Sequence, residues 1–186
     1  MPGRPRDPAR HEAVLAATRE LLAESGYDAL TFTEVAARAG VTRPLLYRWW
    51  PAKPALVSEA LFARSAQLWP SSYKGPLRAD LRAFIGALVD YAQRPDVRAG
   101  LLGIMAEARD AAELPALTEL VAGLQTSFGA LLAAGTARGE VRPRVDAVMT
   151  LDTIRGAVTA HVLSDDRPRR QVVDHLVTLM TWALSG

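Results

Sequence analysis

From residue 144 onward, apolar side chains recur three and four positions apart. Ala147, Leu151, Ile154, Val158 and Val162 form one such stripe, with Gly156 and Ala160 as a small-xxx-small pair beside it. Residues 168–184 carry two stripes: Val172, Leu176, Leu179 and Ala183, and Val173, Val177, Met180 and Leu184. This spacing is that of helices, not of strands. Prolines at 54, 70, 76, 95, 115, 143 and 168 mark helix boundaries, because proline is tolerated in a helix's first turn but not in its interior. The segments between them are rich in Ala, Leu, Arg and Glu, all strong helix formers, and lack β-branched runs and Asn-Gly dipeptides. The pattern predicts an all-α chain of about nine helices, near 9–25, 32–39, 43–50, 54–69, 77–93, 96–110, 114–138, 144–164 and 168–184.

The segment from Thr31 to Trp50, TFTEVAARAGVTRPLLYRWW, holds two short helices. Thr31 and Glu34 form a capping box that starts the first, and Gly40 supplies the left-handed residue that ends it. Thr42 offers a hydroxyl N-cap and Pro44 stands in the first turn, so a second helix begins at once. Two short helices joined by a brief glycine-containing turn make a helix-turn-helix. Ala36 leaves room where they cross, and Val35, Ala39, Val41, Leu46 and Trp49 fall inward.

Turning about 100° per residue, the second helix places Leu45, Leu46 and Trp49 on a buried side and Arg43, Pro44, Tyr47 and Arg48 on an exposed arc. Two guanidiniums and a phenol without an acid suit DNA: arginine reads guanine bidentately, and a tyrosine hydroxyl bonds phosphate. An ordinary solvated helix face is the plainer alternative, on which Pro44 and Tyr47 are less expected.

Charge sharpens this. The whole chain carries 22 basic and 20 acidic residues, a net charge of +2. Residues 1–53 hold eight basic and six acidic side chains, whereas the rest balances. Between Glu34 and Glu59 no acidic residue occurs, while Arg38, Arg43, Arg48 and Lys53 do. An acid-free basic stretch is what a polyanion surface requires.

Residues Arg10 to Leu56 resemble the DNA-binding domain of the TetR/AcrR family of bacterial transcriptional regulators. The carriers are Ala17, Gly26-Tyr27, Leu30-Thr31, Val35-Ala36, Ala39-Gly40-Val41-Thr42, Leu46-Tyr47 and Pro51-x-Lys53. The resemblance implies a three-helix DNA-binding domain over residues 1–53 and a helical ligand-binding and dimerisation domain over 54–186. It further implies a homodimer that binds a palindromic operator in double-stranded DNA and releases it when a small-molecule effector binds. By position, Thr31, Thr33, Thr42, Tyr47 and Lys53 correspond to phosphate contacts, and Arg43, Pro44, Leu45 and Arg48 to the base-facing set. Thr31 and Thr42 are also N-caps, and one hydroxyl rarely does both jobs. Three departures stand out: Pro54 where the family often has Glu, a bulkier aromatic pair in Trp49-Trp50, and an apolar Leu45 where a small polar residue is common. Leu45 either meets a thymine methyl or packs. The arm Gly3-Arg4-Pro5-Arg6 resembles half of an AT-hook, so Arg4 and Arg6 either enter a minor groove or belong to a disordered tail.

A surface helix needs one apolar stripe, so the second on residues 168–184 suggests burial against a partner as well. The expected dimer face comprises Leu151, Ile154, Val158, Val162, Leu176 and Met180, in a four-helix bundle across a two-fold axis. Residues 77–138 then wall the effector pocket, with Phe84, Leu88, Tyr91, Met105, Leu117, Leu124 and Phe128 as candidate lining, each of which is also an ordinary core residue.

The remaining signals exclude. The chain has no cysteine, hence no disulfide or thiolate chemistry. His11, His161 and His175 lack metal-ligand spacing. No phosphate loop, G-x-S-x-G elbow or distinctive carboxylate pair appears, so neither enzyme nor cofactor is expected. No signal peptide is visible, no apolar run approaches a membrane span, and a cytoplasmic location is expected. Two other readings stay open: an architectural DNA binder without an effector, and an all-α ligand-binding protein that has lost DNA binding.

Overall fold

The computed structural model describes residues 7–63, 65–107, 114–164 and 167–185. Among these the regular elements are helices: α1 (Pro8–Ala29), α2 (Phe32–Ala39), α3 (Arg43–Trp49), α4 (Lys53–Phe62), a 3₁₀ turn (Ser65–Leu68), α5 (Leu77–Ala92), α6 (Pro95–Glu107), α7 (Pro115–Ala137), α8 (Ala147–Ser164) and α9 (Arg169–Leu184). The all-α expectation holds.

Local chemistry sets the boundaries. The Asp7 carboxylate accepts from the Ala9 and Arg10 amides and starts α1. The break expected after Ser25 lies at Gly26, whose φ of 81° is left-handed. Thr31 and Glu34 form the reciprocal box: the Glu34 amide donates to Thr31 Oγ1 (3.2 Å) and the Thr31 amide to Glu34 Oε2 (3.1 Å). At Gly40 (φ 63°) the Gly40 and Val41 amides donate back to Ala37 and Ala36, a Schellman closure. Thr42 departs from expectation, since its side chain makes no capping hydrogen bond. Helix α8 begins at Ala147 rather than 144, because Arg144 adopts a φ of 65° and Asp146 caps the helix by accepting from the Met149 amide. Helix α4 stops at Phe62, well short of Pro70: a proline sets the latest possible end of a helix, not the actual one. Helix α7, at 23 residues, is long and apolar enough by composition to cross a membrane, although Thr118, Glu119, Gln125, Thr126 and Ser127 interrupt it, so no continuous apolar run forms. Its Leu120, Leu124, Phe128, Leu131 and Leu132 are instead buried within the chain.

The helices gather into two compact units, one of described residues up to Ala63 with those from Pro95 to Glu119, the other of the remainder. The division expected at 53/54 therefore differs: α4 and the distant α6 pack with α1–α3. In the first unit α6 lies on α1 and α4, with Val97 and Ile104 buried alongside Val14, Leu22, Val57 and Leu61.

In the second unit α5 packs on α8 and α9. Leu81, Phe84, Ile85 and Val89 meet a core that includes Phe128, Leu151, Ile154, Val172 and Val177. Ion pairs Arg82–Asp174 and Arg169–Asp90 tie α5 to α9 at the surface. This packing overturns the expected dimer face. Leu151, Ile154, Val158, Val162, Leu176 and Met180 are each 4% exposed or less inside a single chain. The two stripes of α9 merge on the helix into one broad inward arc of about 140°, from Val172 round to Val177, so they are one buried side rather than two. What faces out is Val148 and Met149 on α8 and Leu179 and Trp182 on α9, with Trp182 80% exposed.

Candidate nucleic-acid interface

Helix α3 stands on α2 through Leu46, which is fully buried, and its outward arc is what the sequence pattern predicts. Arg43, Pro44, Tyr47 and Arg48 are exposed and Leu45 is half-buried. Thr33 and Thr42 are exposed beside them. The arc is internally ordered: Arg43 Nη2 donates to the Tyr47 hydroxyl (3.1 Å) and its guanidinium lies over the Tyr47 ring. The Tyr47 ring in turn meets Phe32 edge-on at 4.7 Å.

Other members of the predicted set are less free. The Thr31 hydroxyl donates to Glu34 Oε2 (2.8 Å) while accepting from the Glu34 amide, so the capping box uses its proton. Lys53 is half-buried. Its Nζ donates to the Tyr27 carbonyl (3.2 Å), lies 4.2 Å from the Tyr27 ring centre and pairs with Glu107 on α6. The Tyr27 hydroxyl also donates to Glu107 (3.0 Å). Burial first, then the Glu107 carboxylate, push the Tyr27 phenol above its ordinary range, so it remains a donor. Arg4 and Arg6 lie outside the described residues.

The basic stretch is also less bare than its sequence suggests. Arg38 grips Glu24 through both terminal nitrogens (2.9 and 2.8 Å) and reaches Glu20. That contact holds the Glu24 carboxyl below the usual carboxylate range. Acids from α1 and α6 thus return to a segment that has none of its own. Of the four basic residues, Arg43 and Arg48 are exposed and have no acidic partner among the described residues.

The inward positions need one correction. Leu46 and Val35 are buried, but Leu45 and Trp49 are only half-buried, and it is Trp50 (2% exposed) that enters the core. Trp50 has already left the helix (φ −132°, ψ 119°), so helical spacing does not govern its direction. Its ring stacks on His11 at 5.2 Å and its indole N–H donates to Glu59, while His11 Nε2 stands 2.9 Å from the other Glu59 oxygen. Trp49 meets both His11 and Trp50 edge-on. The bulky Trp pair is therefore seated on α1 and α4, a role that no spacing in the sequence indicates.

The candidate effector residues divide between the units. Phe84, Leu88, Tyr91, Leu124 and Phe128 are buried in the second, with Phe84 and Phe128 rings 5.3 Å apart. Met105 and Leu117 belong to the first, and Met105 is 63% exposed, so the seven do not line one cavity within either unit. Among the described residues no cluster of three metal-ligating side chains occurs.

Comparison with known proteins agrees with this geometry. Residues 14–60 match the family model described as bacterial regulatory proteins, tetR family, and residues 73–180 that of the tetracyclin repressor-like C-terminal domain. The HTH-type transcriptional regulator YdeS of Bacillus subtilis is 28% identical over 163 residues, 87% of this chain and 82% of that one. The HTH-type transcriptional regulator AqdR of Rhodococcus erythropolis is 31% identical over 152 residues, 81% and 73% of the two chains. In fold, the chain is similar to the regulator FadR of Bacillus subtilis, whose crystal structure holds stearoyl-CoA. The TM-score is 0.73 at 15% identity, over 91% of this chain and 97% of that one. With the first helix of its helix-turn-helix capped by Thr31, Glu34 and Gly40, and with both halves matching, the chain belongs to the TetR family of bacterial transcriptional regulators and is a DNA-binding transcriptional regulator.

Proposed function

We propose that this regulator is a cytoplasmic, dimeric repressor that occupies a palindromic operator and leaves it when a small molecule binds the second unit. The observation that carries the reading is the α3 arc, where Arg43, Tyr47 and Arg48 point outward from a helix packed on α2, which is itself capped at both ends. In this reading Arg48 and Arg43 read base edges and Thr33, Thr42 and Tyr47 hold phosphates, while Lys53 assists only as far as Tyr27 and Glu107 release it.

Footprinting on the DNA just upstream of the protein's own gene tests this, with protection expected at moderate salt. Arg48→Ala is expected to cost about 1–3 kcal/mol on the operator and relax one base position, with little change on random DNA. Equal loss on both DNAs would remove Arg48 from base reading.

The dimer reading moves to the outward side of α8 and α9. Met149, Thr153, Gly156 and Ala160 lie within about 60° of one another on α8, opposite its buried stripe, and the small pair lets a helix approach closely. Trp182 and Leu179 extend the patch on α9. Trp182→Glu is expected to give folded monomers in sedimentation analysis, and a dimer of unchanged strength would refute this face.

For the effector, the second unit offers a core of Phe84, Leu88, Tyr91, Leu124 and Phe128. The Trp69 indole N–H is also buried there without a hydrogen-bond partner, its ring edge-on to Tyr91. An apolar body carrying one acceptor suits that lining, and the stearoyl-CoA held by FadR supports an apolar effector in this fold.

A further inference from the structure

We propose that Glu107 is an internal counterion for Lys53 that competes with the DNA backbone, so that α6 sets how strongly Lys53 holds a phosphate. The inference deepens the phosphate role given to Lys53 in the repressor reading and rests on it. Tyr27, Lys53 and Glu107 come from α1, α4 and α6, and all three belong to the first compact unit. Lys53 opens α4, so its ammonium stands at the positive end of the helix dipole and gains from an anion beside it. The fold supplies Glu107 from 54 positions further along the chain, and a DNA phosphate is a second anion for the same charge.

The geometry makes Glu107 a competitor rather than a permanent bond. Its Oε2 accepts from the Tyr27 hydroxyl at 3.0 Å, and Tyr27 is itself buried, so the carboxylate is held in place by a fixed donor. Its Oε1 stands 3.8 Å from Lys53 Nζ, a distance at which it attracts the ammonium without hydrogen bonding to it. One ammonium proton goes to the Tyr27 carbonyl at 3.2 Å, and an ammonium has three to give. The Lys53 side chain keeps 24% of its surface and that of Glu107 47%, so solvent, and hence a phosphate oxygen, reaches the pair. The Tyr27 carbonyl and ring orient the ammonium but leave its charge unneutralised. Glu107 alone of these contacts carries a full negative charge. A phosphate that closes on Lys53 therefore meets a carboxylate already beside the same cation, and the two anions repel one another. Whatever draws Glu107 away adds to phosphate binding, and by linkage a bound phosphate loosens Glu107 from Lys53 by the same free energy.

The test is fluorescence-anisotropy titration of the full chain onto a random-sequence duplex, repeated over a series of salt concentrations. Phosphate contacts carry no sequence information, so no operator is needed. Glu107→Gln keeps an acceptor for the Tyr27 hydroxyl and removes only the charge. It is expected to bind about two- to fivefold tighter per chain, the scale of a partly exposed ion pair. Its salt dependence is expected to steepen by up to about one released counterion per chain. Lys53→Gln is expected to weaken binding, and Glu107→Gln added to Lys53→Gln is expected to give no gain. Unchanged or weaker binding by Glu107→Gln would overturn the proposal. So would a gain that persists without Lys53, which marks a general loss of negative charge near DNA. If Lys53→Gln weakens binding and Glu107→Gln does not strengthen it, the phosphate role stands and the proposal alone falls. If Lys53→Gln changes nothing, both fall.

Discussion

Replacing Val158 with arginine is expected to leave little folded protein. Val158 is 2% exposed and lies in the stripe of Leu151, Ile154 and Val162 by which α8 meets α5. A guanidinium there faces aliphatic side chains, and an unpaired buried ion costs several kcal/mol even after relaxation. Domains have only about 5–15 kcal/mol to lose, so one such substitution consumes much of the margin. Far-UV circular dichroism through a thermal ramp reads the outcome. A variant with the parent's ellipticity and a melting temperature within a few degrees of it would mean that Val158 faces water or a partner. The contrast with Trp182→Glu is diagnostic: one change to a charge on the inward side of this helix pair destroys the fold, the other on the outward side separates chains.

Gly103→Ala is expected to destabilise the first unit by about 1–3 kcal/mol, although alanine is the better helix former by about 1 kcal/mol. A Cβ at position 103 falls 2.1 Å from Cγ and Cδ1 of Tyr27, inside the ring's own contact shell. The ring cannot easily retreat. It is 5% exposed, its hydroxyl is bonded to Glu107, and Lys53 lies over its face. At Gly100, by contrast, a Cβ meets Leu61 Cδ1 at 2.7 Å and Val57 Cγ1 at 3.1 Å, the ends of side chains that can give. Gly100→Ala is therefore expected to cost less. At about 2–4 °C per kcal/mol for a chain of this size, Gly103→Ala lowers the melting temperature by roughly 2–12 °C. A melting temperature at or above the parent's would show that propensity outweighs the contact.

The capped helix pair was legible because its signals are local. Thr31, Glu34 and Gly40 act within five residues of their own positions, and the structure repeats them bond for bond. The exposed α3 arc followed from the helical turn alone. What distance in sequence hid is of another kind. That Glu20, Glu24 and Glu107 return to Arg38 and Lys53 depends on helices docking, which no spacing within 31–50 reports. Trp50 enters the core because the chain leaves helical geometry at that residue. The stripes of α8 and α9 are apolar as expected, but the α8 stripe and the second stripe of α9, expected to face a partner, are buried within the chain. An apolar stripe states that a side is buried and not by what. Its true outward patch is marked by the less periodic Met149 and Trp182.

The first compact unit is assembled from two separated stretches of chain, and this constrains its birth on the ribosome. When residue 63 has emerged, Leu22, Val57 and Leu61 still lack the α6 surface that Gly100 brings against them, and Tyr27 lacks Gly103 and Glu107. About 44 further residues must be made first, roughly two to nine seconds of synthesis. Throughout that interval α3 belongs to a lobe whose α6-facing side is not yet covered. A helix-turn-helix that reads as self-sufficient in sequence is thus completed only after α5 has been translated.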